Sequence, residues 1–190
     1  MSIKKSFLSF GLIISLLVNL VLLSKVVKVD ESSSSSFDKN EVNFAFSNVV
    51  HDPKTLLLDA IHQAKDRLDV AIYNFDDKEI AEAILDANER GVNIRVITDG
   101  NKAEKDRRAA ILDEFSQNHI EVKITTSQKM HLKMAIIDDY LIVTGSYNYT
   151  EASANENLEQ LMTLANGELA KEWTSIFTTL WNKDEFKTWK

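Results

Sequence analysis

From Glu41 onward the chain alternates between two hydrophobic periods. Runs in which every second residue is apolar, "EVNFAF", "DVAIYNF", "VNIRVITD", "IEVKIT" and "NLEQLMTLAN", have the two-residue period of half-buried strands. Between them, "DPKTLLLDAIHQAKDRL", "DDKEIAEAILDANERG", "KAEKDRRAAILDEFSQN" and "GELAKEWTSIFTTLW" repeat their apolar residues three and four apart, as amphipathic helices do. End signals agree with this. Asp52 stands as an N-cap before Pro53, Asp76 or Asp77 caps the second helix, and Gly91 follows its last turn. "HLKMAIIDDYLIVTGSYNYT", residues 131–150, alternates well enough for two further strands. Strands and helices in this succession predict an α/β fold, a mixed β-sheet flanked by helices on both faces. Gly91 and Gly100 read as turn residues, and Trp173, Trp181 and Trp189 as packing or surface residues of the last helix.

A different pattern precedes this body. Lys4 and Lys5 lead into an uncharged stretch from Ser6 to Ser24, which as a helix is about 28 Å long, enough to cross a bilayer. No small-residue cleavage site follows it, so an uncleaved N-terminal transmembrane anchor is expected over residues 1–28, with a secreted form after signal cleavage as the alternative. Lys25 and Lys28 nearly balance Lys4 and Lys5, and the short N-terminal tail favours a domain facing out of the cytoplasm. The serine run in "ESSSSSFDKN" makes residues 29–40 a flexible linker and leaves 41–190 as the folded domain. Absence of cysteine excludes disulfides, thiolate metal sites and cysteine nucleophiles.

Within residues 131–150, polar residues occupy positions where apolar ones would pack better. Strand alternation puts His131 and Lys133 on one face, about 7 Å apart, and turns Asp138 away from them. An imidazole and an ammonium so spaced can reach one phosphate. Gly145, Ser146 and Asn148 close the next strand, the glycine allowing a close backbone approach and the hydroxyl and amide offering donors to phosphate oxygens. Glu156 follows in "NENLEQ", where a carboxylate accepting from His131 Nδ1 fixes the tautomer that leaves Nε2 free. A metal hydrolase fits poorly, because this stretch holds one histidine and a lysine stands where a second ligand belongs.

His131, Lys133 and Asp138 in H-x-K-x4-D, followed by Gly145, Ser146 and Asn148 in G-S-x-N, resemble the signature of the phospholipase D superfamily. The resemblance covers about residues 41–183 and is nearest to small bacterial phospholipase D-like endonucleases and membrane-anchored cardiolipin hydrolases. It implies a phosphodiesterase with His131, Lys133, Asn148, Glu156, Asp138 and Ser146 as site residues, with Asp138 and Ser146 in supporting roles. Lys133, Asn148, Gly145 and Lys129 are expected to bind substrate. No metal or cofactor is implied. Two histidines flank the phosphodiester in this family, one attacking phosphorus and one protonating the leaving oxygen. His51, His62 and His119 lack a lysine two residues on, so the chain holds one copy of the motif and a homodimer is expected.

Substrate is less determined. From residue 37 onward, 18 Lys and Arg against 27 Asp and Glu give a net charge of −9, which disfavours tight binding along a polyanion. Lys102, Lys105, Arg107 and Arg108 either flank the groove or form a solvated face with Glu104 and Asp106. A non-specific endonuclease for DNA or RNA is the leading expectation, a phospholipase D or cardiolipin hydrolase the alternative, and an apolar patch beside the groove favours the latter.

Overall fold

The two periods fold as one mixed sheet covered on both faces. The computed structural model describes residues 41–190, so the expected membrane anchor and the expected linker lie outside the described residues. Among the described residues no helix is long and apolar enough to cross a membrane. In chain order the elements are β1 (Val42–Phe46), α1 (Pro53–His62), β2 (Arg67–Ile72), α2 (Lys78–Glu89), β3 (Asn93–Asp99), α3 (Gly100–Ala103), α4 (Asp106–Gln117), β4 (Glu121–Thr125), β5 (Lys133–Ile137), β6 (Leu141–Gly145), α5 (Glu151–Asn155), β7 (Gln160–Ala165), α6 (Gly167–Trp181) and β8 (Phe186–Thr188). The eight strands lie in the order β1-β7-β6-β5-β2-β3-β4-β8. β2, β3 and β4 are parallel, and the remaining pairs are antiparallel.

Alternation along β5 explains the two cores. Ala135 and Ile137 join Leu57, Ile61, Ile80, Ile84, Leu112 and Phe115 under α1, α2 and α4. Met134 and Ile136 face the other way, with Ala71, Ile97 and Ile142, onto Ala170, Phe177 and Trp181 of α6. On that second face the carboxylate of Asp69, fully buried, holds Arg95 at 2.7 and 2.8 Å, and the Arg95 guanidinium lies 4.9 Å from the Phe177 ring centroid. A buried charge is tolerable only so paired.

Four local expectations are corrected. Helix α1 ends at His62, and Arg67 and Leu68 belong to β2. The cause is tertiary: the backbone N–H groups of Lys65, Asp66 and Arg67 are drawn onto the Asp138 carboxylate at 3.0, 2.8 and 2.9 Å. The stretch expected as one helix from Lys102 to Asn118 is broken at Glu104 and Lys105, because Asp99 caps a separate short α3 through the Lys102 N–H. α5 and β8 were not expected, and the latter closes the sheet beside β4. Trp189 lies beyond α6, where its indole N–H donates to Asp113 at 2.8 Å.

Candidate active site

β5 enters the sheet at Lys133, and the Tyr73 N–H donating to the Leu132 carbonyl at 2.9 Å extends the β2–β5 ladder by one step. His131 therefore stands just outside the sheet, exposed, while Lys133 is half-buried behind it. The Tyr73 ring, from the end of β2, packs on the imidazole with centroids 4.4 Å apart and planes at 51°. Lys133 Nζ lies 3.4 Å from His131 Nδ1 and donates to the His131 carbonyl at 3.0 Å.

Electrostatics at this end are dominated by cations. Partial loss of water around the ring, and then the Lys133 and Lys129 charges, hold the His131 imidazole below its ordinary pKa, with Asp99 pulling the other way. Burial lowers the Lys133 pKa as well; the Glu159 charge opposes this, and Lys129 adds to it. An ammonium can only donate, so a hydrogen bond from Lys133 to Nδ1 puts the proton of the neutral ring on Nε2. This is the opposite tautomer from the one a nucleophilic Nε2 requires.

The second half of the site is stitched to the end of β2. Tyr149 N–H donates to the Asn74 carbonyl at 3.1 Å, and the Tyr149 carbonyl accepts from Asp76 and Asp77 at 2.8 and 3.1 Å. These bonds bring the segment carrying Asn148 against the residues that follow Tyr73. Asn148 Oδ1 and Asn74 Oδ1 are both buried without a hydrogen-bond partner. Two unmet amide oxygens on adjoining segments are costly unless a ligand or water completes them.

Other expected residues fall differently. Glu156 sits on the exposed C-terminal cap of α5, its carboxylate making no hydrogen bond or ion pair among the described residues. Glu159, three residues on, is the carboxylate whose charge acts on Lys133. Gly145 pairs with Leu161 across β6 and β7, so the residues beyond each strand run on side by side. Ser146 Oγ donates to Glu159 in a short contact and accepts from the Gln160 N–H at 3.1 Å. Asn157 Nδ2 donates to the other Glu159 oxygen at 3.2 Å. The fold itself requires Gly145, since a Cβ there would meet the Gln160 carbonyl oxygen at 2.2 Å. Asp138 lies at the far end of β5, its carboxylate saturated by the three N–H groups already named, and takes no part in the His131 cluster.

Of the basic cluster, Lys102 Nζ comes 5.2 Å from the Tyr73 centroid, Arg108 pairs with Asp76 at 2.9 Å, and Lys105 and Arg107 are exposed. Lys129 Nζ reaches the same ring at 4.9 Å. Tyr73, Asn74, Asp99 and Glu159 were not singled out from the sequence. The first three close parallel strands β2 and β3, whose C-terminal ends are where open α/β sheets bind ligands, and that rule was the available signal. A cleft of about 380 Å³ also adjoins His131, walled by Met130, Leu132, Leu180 and Phe186.

Comparison with known proteins agrees with this arrangement. A family model described as "Cardiolipin synthase, PLD-like domain" matches residues 57–181. The chain is 31% identical over 140 residues to a mitochondrial cardiolipin hydrolase of Chlamydomonas reinhardtii, covering 72% of this chain and 61% of that one, so it spans less than two thirds of that relative. It is 27% identical over 147 residues to a phospholipase D of Rickettsia bellii, 77% of this chain and 72% of the relative. The crystal structure of Nuc from Salmonella typhimurium, described as a phospholipase D family member, superposes with a TM-score of 0.75 at 23% identity, over 80% of this chain and 99% of that one. With its signature residues carried on this fold and the family model spanning most of the folded domain, the chain belongs to the phospholipase D-like family.

Proposed function

We propose that the protein is a phosphodiesterase that works through a covalent phosphohistidine on His131. The observation that carries this reading is an exposed imidazole packed on Tyr73 with the Lys133 ammonium 3.4 Å from Nδ1; partial desolvation, and then the Lys133 and Lys129 charges, lower its pKa and favour the neutral, nucleophilic ring. In the proposed cycle His131 Nε2 attacks phosphorus and an N–P bond forms as the P–O bond to the leaving group breaks. The His131 of a second protomer, in its protonated form, gives its proton to the departing oxygen. It then takes a proton from water, whose oxygen displaces His131 from phosphorus. Lys133 and Asn148 hold the nonbridging oxygens.

The tautomer that a Lys133–Nδ1 hydrogen bond favours supplies a switch for the first step. Once Lys133 turns from Nδ1 to a phosphate oxygen, Nδ1 can carry the proton and Nε2 its lone pair. Glu159, already acting on Lys133 and oriented by Ser146 and Asn157, is the carboxylate that balances the Lys133 charge in this cycle.

Nucleic acid is the substrate we favour, on the grouping of Lys102, Lys129 and Lys133 around Tyr73. A phospholipid diester is the second reading, favoured by the apolar walls of the cleft beside His131. The test is cleavage of single- and double-stranded DNA, RNA and phospholipid vesicles by the full chain in excess EDTA, with His131→Ala in parallel. Chelator-resistant cleavage that disappears in the variant is expected; equal cleavage by the variant overturns the proposal. Homodimer formation is tested by sedimentation at assay concentration, where an active monomer removes the need for a second protomer. Membrane attachment through residues 1–28 and an extracytoplasmic domain remain part of the proposal, tested by protease protection in intact cells.

A further inference from the structure

The cations beside His131 outnumber what one phosphodiester needs. Lys102, Lys129 and Lys133 place their Nζ atoms 5.2, 4.9 and 5.1 Å from the Tyr73 ring centroid. Any two therefore lie within 10.3 Å of each other, the sum of the two longest of these distances. That is about one Debye length at ordinary ionic strength, so their repulsion is only partly screened. None of the three forms an ion pair with a described carboxylate. Elsewhere in the domain Lys54, Arg67, Arg95 and Arg108 all have such partners. A scissile diester carries one negative charge, and Lys133 with its counterpart from a second protomer already meets it.

The backbone beneath the two remaining lysines is built, not incidental. Asp99, 2% exposed at the end of β3, accepts from the Lys102 N–H at 3.2 Å with one oxygen and from the Met130 N–H at 3.0 Å with the other. One buried carboxylate thus fixes the turn bearing Lys102 relative to the segment bearing Lys129. The Gly100 N–H lies 3.4 Å from Thr125 Oγ1, and a Cβ on Gly100 would meet the Thr125 carbonyl oxygen at 2.1 Å, so β4 closes tightly against the same turn. All of this lies at the carboxyl ends of the parallel strands.

We propose that Lys102 and Lys129, arranged around Tyr73 and anchored by Asp99, form a subsite for a second phosphate carried by the substrate beside the scissile one. The inference rests on the phosphodiesterase reading and narrows its substrate class to molecules with two phosphates close together, whether successive phosphates of a nucleic acid strand or the two phosphates of a diphosphatidyl lipid. Lys129 and Lys102 are its binding residues, and Tyr73 is a positioning residue that holds their ammoniums by cation–π attraction.

The test uses the full chain carrying His131→Ala, so that nothing is hydrolysed. Its affinity for thymidine dinucleotide with and without a 5′-phosphate is measured by calorimetry, and vesicles of diphosphatidylglycerol and of phosphatidylglycerol, matched in total phosphate, are compared by cosedimentation. A preference of about tenfold for the two-phosphate member of at least one pair is expected. Adding Lys102→Gln and Lys129→Gln should abolish the preference, and adding Lys102→Arg and Lys129→Arg should restore it. The pair that shows the preference identifies the source of the second phosphate. Equal affinities within both pairs, or a preference that survives the double Gln change, overturn the subsite. Hydrolysis of bis(4-nitrophenyl) phosphate, which has one phosphate, is followed with the wild-type chain. Its absence alongside an intact two-phosphate preference strikes the phosphodiesterase reading and leaves the subsite standing.

Discussion

The two ends of β5 carry parts of one sequence signature and have opposite electrostatic character. At the Lys133 end, an imidazole and three ammoniums crowd one tyrosine ring without ion-pair partners among the described residues, and the pKa values of His131 and Lys133 are both depressed. At the Asp138 end, one carboxylate accepts three backbone N–H groups and its neighbour Asp139 accepts from Arg67 and from Thr174. Partial burial raises the Asp139 pKa, but the hydrogen bonds from Thr174 and Arg67 and the Arg67 charge hold it below the ordinary carboxylate value. One end keeps its cations without carboxylate partners among the described residues. The other is saturated and holds backbone. Residues five apart in one motif are thus assigned to chemistry and to architecture by which end of a short strand they occupy.

The comparison predicts unequal effects. His131→Ala should lower phosphodiester hydrolysis by at least about 10³-fold, measured as initial rate, with a melting temperature within about 2 °C of wild type, because the ring is exposed. A large stability loss in that variant would break the distinction. Glu159→Gln should reduce kcat by about 10²-fold, while Glu156→Gln should stay within about twofold. Reversal of that order would return the carboxylate role to α5.

Asp138→Ala should cost about 2–3 kcal/mol in urea unfolding, since three backbone donors lose a charged acceptor, yet leave kcat per folded molecule within about twofold. Loss of activity without loss of stability would move Asp138 into the site. The smallest effect is on pH. A depressed His131 pKa keeps the ring neutral down to lower pH, so activity should fall on the acid side only below the ordinary histidine range. Lys129→Gln removes one repulsive charge, raises the His131 pKa and should move that acid limb upward; an unmoved limb would show that Lys129 does not act on the ring.

Much of this was legible in the chain. Period and caps indicate most strands and helices, because each is decided by residues near in sequence: Asp52 and Asp77 each accept N–H groups of the helix they precede. Asp138, just past the end of β5, lies apart from His131 and Lys133 because of where that short strand ends rather than because of alternation along it. What escaped depends on contacts between distant residues. The end of α1 is set by Asp138, 73 residues from Lys65. The charge acting on Lys133 is that of Glu159, which the β6–β7 register sets beside Ser146 and which "NENLEQ" does not single out. The sequence does not show that Gly145 is also pressed by the neighbouring strand, where a Cβ would meet the Gln160 carbonyl.

The Asp138 clamp also bears on how the molecule is made. β2 is central and lies between β3, which follows soon after it, and β5, which begins only at Lys133. During synthesis β2, β3 and β4 can pair as a parallel sheet while the other edge of β2 stays open and the amides of Lys65, Asp66 and Arg67 lack their acceptor. The arrival of residues 133–138 closes both at once. Assembly should therefore be late and cooperative, gated by a pairing of high sequence separation, and nascent chains stopped short of Asp138 should expose the β2 edge to aggregation and proteolysis.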